Sequence, residues 1–295
     1  MTSRQNQDTD PFLGDNRLNR LIEEALLEDV GMGDITTDSI VGKELIGRGE
    51  MKFKEAGIAA GLAVADGAFA LVDHEIAFRQ MVLDGAEVAT GTIGAAVEGP
   101  FDSLLKAERT VLNIVQRMSG IATLTRKFVE EVKGTGAKIT DTRKTVPGLR
   151  MLDKLAVRTG GGVNHRFGLD DMVLIKDNHI AAAGGITPAL DRCLKFLRER
   201  NIALQVEIEA GDLAGVAEVL RHGGVHRILL DNFDLPVMQK AVAMIGRRVE
   251  VEASGNVGLD NVRAIAETGV DFISIGALTH SVKALDCSLK ISAVQ

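Results

Sequence analysis

The sequence predicts an α/β protein in which a small N-terminal α/β domain precedes an incomplete (β/α) barrel. After Gly134, apolar and β-branched runs alternate with helix-like segments, whereas short strand-like pieces and two long helical stripes come before residue 121. Runs that are apolar throughout indicate strands covered on both faces, as in a parallel sheet. Six such runs are clear. A closed barrel of about eight strands would need weaker segments, for instance GGVNH or the region near Ile121, to contribute.

The N-terminal part begins with a polar segment, residues 1–14, which we expect to be a flexible tail. Asn16 is a capping residue at the start of NRLNRLIEEALLEDV, whose apolar residues recur at helical spacing. The pieces EMKFKEAG, EIAFRQMV and GTIGAAVEG are typical of short strands around a helix near LAVADGAFALVD. In FDSLLKAERTVLNIVQRMSG, a second stripe predicts a long helix that leads into the second domain, with core positions Leu104, Ala107, Val111, Val115 and Met118.

The C-terminal part supplies the predicted barrel. Its strand-like runs are KITDT, DMVLIKDN, LQVEIEAG, HRILLDNF, VEVEASGN and DFISIGAL. Helix-like segments such as PALDRCLKFLRERN and PVMQKAVAMIG separate several of these runs, which is the order of a parallel sheet. We therefore expect an N-terminal domain over 15–120 and a barrel over 121–279, with residues 280–295 packing back on the N-terminal domain.

Composition excludes several classes of function. The chain has 295 residues and a formal net charge of −7, which argues against a nucleic-acid-binding protein, because such proteins carry a basic face. Cys193 and Cys287 are too few and too far apart for a disulfide framework or a zinc site, which favours a reducing cytosol. No run is long and apolar enough for a membrane span, and the start of the chain lacks the apolar core of a secretory signal.

Polar residues follow each predicted barrel strand. In a barrel, the C-terminal strand ends meet at one mouth, so residues that are far apart in sequence can form one site. A single polar strand end means little, but six in succession that mix cations, carboxylates and small residues predict a functional site. The residues at these ends are Thr142, Arg143, Lys144, Lys176, Glu209, Asp231, Ser254, Gly255, Asn256 and Gly276.

The residue types at these ends indicate a substrate with several anionic groups. A cationic wall binds carboxylates or phosphates, and we place in it Arg143, Lys144, His165, Arg166 and Lys176. The acidic pair Glu209 and Asp231 suits Mg²⁺ that carries a phosphate, sugar hydroxyls or a developing positive charge. Backbone N–H groups for a phosphate come from Ser254, Gly255, Asn256 and Gly276.

These motifs resemble the quinolinate phosphoribosyltransferase family, whose members are also called nicotinate-nucleotide pyrophosphorylases (carboxylating). The resemblance runs from GDITTDSI to the C-terminus and rests on KAERTVLNIVQRMSGIAT, TDTRKTVPGLRMLDKLAVRTGGGVNHRFGLDDMVLIKDNH, VEIEA, LLDNF, VEASGNV and GVDFISIGALTH. It implies a type II phosphoribosyltransferase, with an N-terminal α/β sandwich, an incomplete barrel, a dimeric assembly and Mg²⁺. The implied reaction joins quinolinate to 5-phosphoribosyl 1-pyrophosphate and gives nicotinate mononucleotide, pyrophosphate and CO₂.

The resemblance also implies a role for individual residues. Arg143, His165 and Arg166 are expected to hold the two carboxylates of quinolinate, and Lys144 and Lys176 to serve the substrate anions and phosphates. Glu209 and Asp231 are expected to face the ribose and its metal, directly or through water, and with Lys144 they are the catalytic candidates. Ser254, Gly255, Asn256 and Gly276 are expected to bind the 5-phosphate. Arg109 resembles the arginine that this family donates to the neighbouring subunit, so we expect a homodimer with shared active sites.

Three alternatives stay open at this stage. A related phosphoribosyltransferase of the same fold can take another aromatic acid, such as nicotinate, or can be a relative associated with molybdenum. A non-catalytic barrel that only binds a phosphorylated metabolite is the third alternative, although pure anion binding gains nothing from Glu209 and Asp231.

The sequence does not decide which glutamate of VEIEA acts in the site. Strand alternation places Glu207 on the same side of the strand as Glu209, so Glu207 can share its role.

Overall fold

The structure is a computed structural model that describes residues 12–294. Within these residues the chain forms two compact units. The first unit comprises 12–126, 145–161 and 279–294, and the second comprises 127–144 and 162–278. Most of the predicted tail, residues 1–14, lies outside the described residues. Of its last residues, Phe12 has its ring 4.4 Å from the guanidinium carbon of Arg158.

Helices and strands are numbered in chain order over the described residues. The helices are α1 (Asn16–Val30), α2 (Ile35–Ile40), α3 (Leu62–Val72), α4 (Phe101–Glu131), α5 (Arg150–Thr159), α6 (Asp177–Ala183), α7 (Ile186–Glu199), α8 (Leu213–His222), α9 (Leu235–Ile245), α10 (Val262–Ala266) and α11 (Ala277–His280). The strands are β1 (Ile46–Phe53), β2 (Gly57–Ile58), β3 (Ala77–Gln80), β4 (Glu87–Val88), β5 (Ile93–Pro100), β6 (Lys138–Thr140), β7 (Val173–Ile175), β8 (Val206–Ala210), β9 (Arg227–Asp231), β10 (Glu250–Ser254), β11 (Phe272–Ser274) and β12 (Cys287–Ala293).

The first unit is built on an antiparallel sheet in the order β12-β1-β5-β3. Side chains along β1 alternate strictly between exposed and buried, and Met51 and Phe53 are fully buried. This period of two is what a sheet with one covered face requires. The C-terminal strand β12 pairs with β1 from Gly47↔Ala293 to Phe53↔Cys287. The end of the chain therefore completes the N-terminal sheet.

Helix α1 covers the predicted segment, but its cap differs from the expectation. Asp15, rather than Asn16, is the N-cap, and its side chain accepts a hydrogen bond from the backbone N–H of Arg17. Asn16 is the first helical residue. Asp15 has the extended backbone of a cap and a carboxylate that suits the positive end of the helix dipole.

The long helix α4 confirms the predicted stripe and is longer than expected. Its predicted core positions Leu104, Ala107, Val111, Val115 and Met118 are all buried. The helix continues through Ile121 to Glu131, so the region near Ile121 adds no strand to the barrel. The predicted domain boundary between residues 120 and 121 falls inside this helix, whereas the compact units divide at Arg126.

The second unit contains a parallel sheet whose order is β6-β11-β10-β9-β8-β7. The six predicted runs supply these six strands, and helices α7, α8, α9 and α10 occupy the predicted helix-like segments between them. The central residues of β9 and β10 are buried on both faces. Strands β6 and β7 are the two edges of the sheet, which agrees with an incomplete barrel. GGVNH contributes one isolated parallel bridge, Val163 to Thr140, rather than a strand.

One segment that we assigned to the barrel belongs to the first unit. Residues 145–161, which include α5, group with the first unit, and several of their polar contacts lie there. Asp153 of α5 is fully buried and accepts from Arg117 of α4 at 2.7 and 2.8 Å. Arg126 Nε donates to the Gly160 carbonyl at 3.0 Å. None of the helices within 12–294 is both long and apolar enough to cross a membrane.

Two helical glycines test the packing of the first unit. A Cβ on Gly120 of α4 would overlap the backbone carbonyl oxygen of Lys283, whereas a Cβ on Gly67 of α3 would meet no atom within 4 Å. We expect Gly120→Ala to lower the free energy of unfolding by about 2 kcal/mol through overpacking. Gly67→Ala should raise it by about 0.5 kcal/mol, because alanine favours the helix. Urea denaturation of both variants measures this, and equal effects would contradict the packing described.

Candidate active site

The register of the parallel sheet brings the ends of the second unit's strands to one edge. Asp231, Ser254, Ser274 and Thr140 lie side by side on four neighbouring strands. Ile175 pairs with Ile208, which puts the residues that follow them, Lys176 and Glu209, at the same level. The predicted site residues of this unit lie at or just after these ends: Thr142, Arg143, Lys144, His165, Arg166, Lys176, Glu209, Asp231, Ser254, Gly255, Asn256 and Gly276.

A negative centre lies where β8 and β9 end. Glu209 is almost buried, at 11% side-chain exposure, and its Oε2 lies 3.6 Å from Nζ of Lys176. Burial raises the pKa of Glu209, the charge of Lys176 opposes this, and the charges of Asp231 and Asp177 add to the increase. The repulsion between the carboxylates is the kind that a bound cation relieves.

The turns after β9 and β10 are held together by amides. Asn232 Nδ2 donates to Asp231 Oδ2 at 2.9 Å, and Asn256 Nδ2 donates to Asn232 Oδ1 at 3.1 Å. Gly255 has a φ of +100°, and a Cβ there would overlap the Asn232 side chain. Asn232 and Asn256 also have positive φ values, of 56° and 50°. Such backbone strain concentrates at functional sites, and here it fixes the segment predicted to bind the 5-phosphate.

Further cationic side chains follow β6 and precede β7. Arg143 and Lys144 are exposed after β6, and the Lys144 backbone N–H donates to Thr142 Oγ1 at 3.0 Å. Arg166 is half-buried, and its Nη1 donates to the Met172 carbonyl at 3.0 Å. Burial, and then the charge of Arg143, lower the pKa of Arg166 from its ordinary value. Two guanidinium groups that repel each other favour a bound anion.

The loop that carries His165 and Arg166 is fixed to the end of β6. Asp141, which is fully buried, accepts from the His165 backbone N–H at 2.9 Å and from the Asn164 side chain at 2.6 Å. The Phe167 backbone N–H donates to Asp171 at 2.7 Å. These bonds hold the segment in place without a regular strand.

His165 points into the sheet interior rather than only toward the edge. Its Nε2 lies 3.1 Å from Glu207 Oε2 and 3.4 Å from Glu252 Oε2, and its Nδ1 accepts the Arg166 backbone N–H at 2.8 Å. Glu252 in turn accepts from Arg227 Nη1 at 2.9 Å. We call His165, Glu207, Glu252 and Arg227 the buried charge cluster.

Sequence reasoning missed most of this cluster. It left Glu207 open beside Glu209, and it did not single out Glu252 or Arg227. A signal was present, because VEIEA and VEVEA place glutamates inside runs that otherwise predict buried strands, and a buried carboxylate requires a partner. Glu207 and Glu209 share a side of β8 but contact different residues, His165 for the former and Lys176 for the latter.

The buried charge cluster retains a proton at neutral pH. Burial opposes the charged imidazole, but the hydrogen bonds that Nε2 donates to Glu207 and Glu252, together with the charges of these carboxylates, outweigh it and raise the pKa of His165 to about 9. Burial also raises the pKa of Glu207. Both directions describe one shared proton in a coupled group. The proton therefore belongs to the pair of His165 and Glu207, whose Nε2 and Oε2 atoms lie 3.1 Å apart.

Family models match nearly the whole chain. A model described as the N-terminal domain of quinolinate phosphoribosyl transferase matches residues 34–119, and one described as its C-terminal domain matches residues 121–290. The chain belongs to the quinolinate phosphoribosyltransferase family. The two family models meet near residue 120, where we placed the domain boundary. The compact units instead divide after Arg126.

Known members of the family are similar to this chain over most of its length. Quinolinate phosphoribosyltransferase [decarboxylating] 1b of Nicotiana tabacum is 45% identical over 289 residues, which covers 93% of this chain and 82% of the relative. A crystal structure of NadC from Streptococcus pyogenes has a TM-score of 0.89 and 36% identity, and covers 98% of this chain and 100% of the other. A nicotinate-nucleotide pyrophosphorylase from Ehrlichia chaffeensis has a TM-score of 0.87 and 41% identity, with coverage of 93% and 98%.

One predicted site residue of this family member lies outside the second unit. Arg109 is exposed on α4 in the first unit, and its charge lowers the pKa of the adjacent, half-buried Glu108, while burial raises that pKa more strongly. Its expected contribution to a neighbouring subunit's site stays a prediction.

The shared proton makes stability depend on pH. The folded cluster, with a pKa of about 9 at His165, binds a proton that the unfolded chain releases above about pH 6.5. The free energy of unfolding should therefore fall by up to about 2 kcal/mol from about pH 6.5 to pH 8.5. Urea denaturation across this range measures the change. Glu207→Gln should flatten the dependence, and a wild-type slope in that variant would contradict the assignment.

Proposed function

We propose that this chain transfers the phosphoribosyl group of 5-phosphoribosyl 1-pyrophosphate to quinolinate. The products are nicotinate mononucleotide, pyrophosphate and CO₂, and the reaction supplies NAD biosynthesis. The observation that carries the proposal is the family match over 34–119 and 121–290, together with the cationic and acidic groups at one edge of the parallel sheet.

The cationic groups suit quinolinate, which has two carboxylates on adjacent ring carbons. Arg143 and Arg166 lie near enough to affect each other electrostatically, and a guanidinium group can bind a carboxylate through two parallel hydrogen bonds. Lys144 and Lys176 are placed to bind phosphate or pyrophosphate oxygens as point charges. The turns after β9 and β10, which the side-chain amides of Asn232 and Asn256 link, would bind the 5-phosphate.

The acidic groups suit the sugar. When the bond from C1 of the ribose to pyrophosphate breaks, positive charge develops at C1 and its ring oxygen. Glu209 and Asp231 stabilise that charge because they are fixed carboxylates in a partly desolvated position. The charge of Lys176, which lies 3.6 Å from Glu209, favours the ionised carboxylate and opposes the rise in its pKa that burial causes.

The ring nitrogen of quinolinate then forms the new bond to C1, and the pyrophosphate keeps the electron pair of the bond that breaks. The nitrogen becomes quaternary and positively charged. The adjacent carboxylate leaves as CO₂, the ring carbon keeps the electron pair of that bond, and a proton from solvent completes the product. Arg143 and Arg166 therefore serve mainly to orient the ring, since alignment of the reacting atoms supplies much of a rate enhancement.

Magnesium is part of the proposal. Glu209 and Asp231 offer the hard oxygen ligands that Mg²⁺ prefers and would hold it, and a bound cation would offset the unfavourable proximity of their charges. When bound, Mg²⁺ would neutralise charge on the leaving pyrophosphate. Among the described residues, His165, Glu207 and Glu252 also lie close enough to hold a metal, but Arg227 already supplies a cation to that cluster.

Assembly and compartment complete the proposal. We place the enzyme as a homodimer in which Arg109 of one subunit contributes to the other's site, because this arginine is exposed on α4 and lies in the KAERT motif. A reducing cytosol suits its two cysteines, Cys193 and Cys287, neither of which forms a disulfide.

Pyrophosphate release tests the reaction and its nearest alternative, a phosphoribosyltransferase that takes nicotinate. With 5-phosphoribosyl 1-pyrophosphate and Mg²⁺, we expect pyrophosphate and CO₂ to appear in equal amounts with quinolinate. Nicotinate should give at most about 1% of that rate, because it lacks the second carboxylate. Removal of Mg²⁺ with EDTA should stop turnover. Faster release with nicotinate would replace the proposal by the alternative.

The two arginines test the binding of the carboxylates. Arg143→Ala and Arg166→Ala should each raise the KM for quinolinate by about 30-fold or more, since each substitution removes charge-assisted hydrogen bonds. The KM for 5-phosphoribosyl 1-pyrophosphate and the circular dichroism spectrum should change little. Arg198→Ala, at an exposed position of α7, is the matched control. Unchanged kinetics in either site variant would remove that arginine from the site.

Mixed dimers test the shared site. At a quinolinate concentration near the wild-type KM, Arg109→Ala and Arg143→Ala homodimers should each be nearly inactive. After the two are unfolded and refolded together, about half of the subunits should form mixed dimers, each with one intact site, so about a quarter of the wild-type activity should return. Refolding each variant alone is the control. If mixing restores no activity, Arg109 does not act across a subunit interface.

A further inference from the structure

Two buried carboxylates of the second unit have no part in the proposed chemistry. The side chains of Glu207 and Glu252 are 0% and 1% exposed, one layer below the sheet edge that carries Glu209. Burying a carboxylate costs several kcal/mol unless it is paired. A packed apolar side chain of similar size would avoid that cost, so the two glutamates call for a specific explanation.

Hydrogen bonds connect these carboxylates to the predicted quinolinate site. Arg227 Nη1 donates to Glu252 at 2.9 Å, and the His165 Nε2 lies between Glu252 at 3.4 Å and Glu207 at 3.1 Å. On the other side of the ring, Nδ1 accepts the backbone N–H of Arg166 at 2.8 Å. A continuous path therefore leads from the buried layer to the residue that carries a carboxylate-binding guanidinium.

The path determines where the imidazole proton lies. Both groups beside Nε2 are carboxylates, so Nε2 is the donor. The group beside Nδ1 is an N–H donor, so Nδ1 is the acceptor. Only the tautomer with its proton on Nε2 satisfies both sides. Rotation of the ring by 180° would place carbon atoms against these polar partners, so the two glutamates fix both the tautomer and the ring orientation.

We propose that Glu207 and Glu252 are positioning residues for quinolinate: they lock the His165 ring, and through its Nδ1 they fix the backbone of Arg166 so that its guanidinium meets the substrate carboxylate. This rests on the proposed function. Glu207 is the cleaner of the two to test, because Glu252 also neutralises Arg227. Glu207 has one hydrogen-bonded side-chain partner, His165, and its Oε1 is buried without a hydrogen bond among the described residues.

Kinetics of two Glu207 variants test the proposal. Glu207→Ala should raise the KM for quinolinate by about tenfold, because a loose ring no longer orders the Arg166 loop, with less than about a twofold change in the KM for 5-phosphoribosyl 1-pyrophosphate. Glu207→Gln keeps an oxygen acceptor for Nε2–H and should restore the KM for quinolinate to within about threefold of wild type.

A control separates positioning from stability. Ile208 is also fully buried, and strand alternation directs it to the opposite face of β8. Ile208→Ala should lower the denaturation midpoint at least as much as Glu207→Ala and leave the KM for quinolinate unchanged. If Glu207→Ala raises both KM values equally, or if Glu207→Gln is as impaired as Glu207→Ala, the positioning role is overturned.

Histidine NMR tests whether Glu207 fixes the tautomer of His165, and it needs no activity assay. With ¹⁵N-labelled histidine, the signals that disappear in His165→Gln belong to His165. At about pH 10, where the ring is neutral because it lies above the pKa of about 9 at His165, the wild type should show one protonated nitrogen, Nε2, and one unprotonated nitrogen, Nδ1. In Glu207→Ala under the same conditions, the signals should move toward the average of two tautomers. Identical signals in both proteins overturn the proposal. Wild-type protein that shows the expected signals but does not consume quinolinate would instead refute the proposed function.

Discussion

Register is the constraint on which the site depends. In-register pairing of six parallel strands places Asp231, Ser254 and Ser274 side by side, so groups that are distant in sequence act at one edge. A shift of one residue in any pair would turn an acidic or small side chain from one face of the sheet to the other. The amide-braced turns after β9 and β10 depend on the same alignment, since the Asn232 backbone N–H donates to the Ser254 carbonyl at 2.9 Å.

The edge of the parallel sheet and its interior differ in how their charged groups are arranged. At the edge, like charges stand close together, Arg143 near Arg166 and Glu209 near Asp231, in arrangements that a bound substrate and cation would relieve. Inside, opposite charges are matched by Arg227, a histidine and two glutamates. The interior charges are therefore paired within the protein, although Glu207 Oε1 accepts no hydrogen bond among the described residues, whereas the like charges at the edge would gain favourable interactions on binding.

The spacing of apolar residues predicted much of the fold, because most helices and strands are specified by residues close together in the sequence. The stripe of α4, the six barrel strands and the helices that separate them were readable from periodicity. The grouping of 145–161 with the first unit was not, because it reflects contacts between residues far apart in sequence, such as Arg117 and Asp153, that form only in the fold. Residue types at strand ends predicted which groups gather at the edge. The residue types could not reveal that the His165 side chain points into the sheet interior, because that orientation depends on its contact with Glu252, a residue distant in sequence.

The pairing of β12 with β1 affects how the protein is made. A ribosome completes β1 and β5 long before it reaches β12, so the nascent chain carries β1 with one side unpaired while residues 127–278 are synthesised. An unpaired strand edge is a template for association with other chains. The sheet of the second unit, in contrast, is formed wholly by strands within residues 127–278. Since β12 is the last strand of the N-terminal sheet to be synthesised, one side of β1 stays unpaired until residues 287–293 have left the exit tunnel, and the exposure of that strand lengthens with the time needed to translate the second unit.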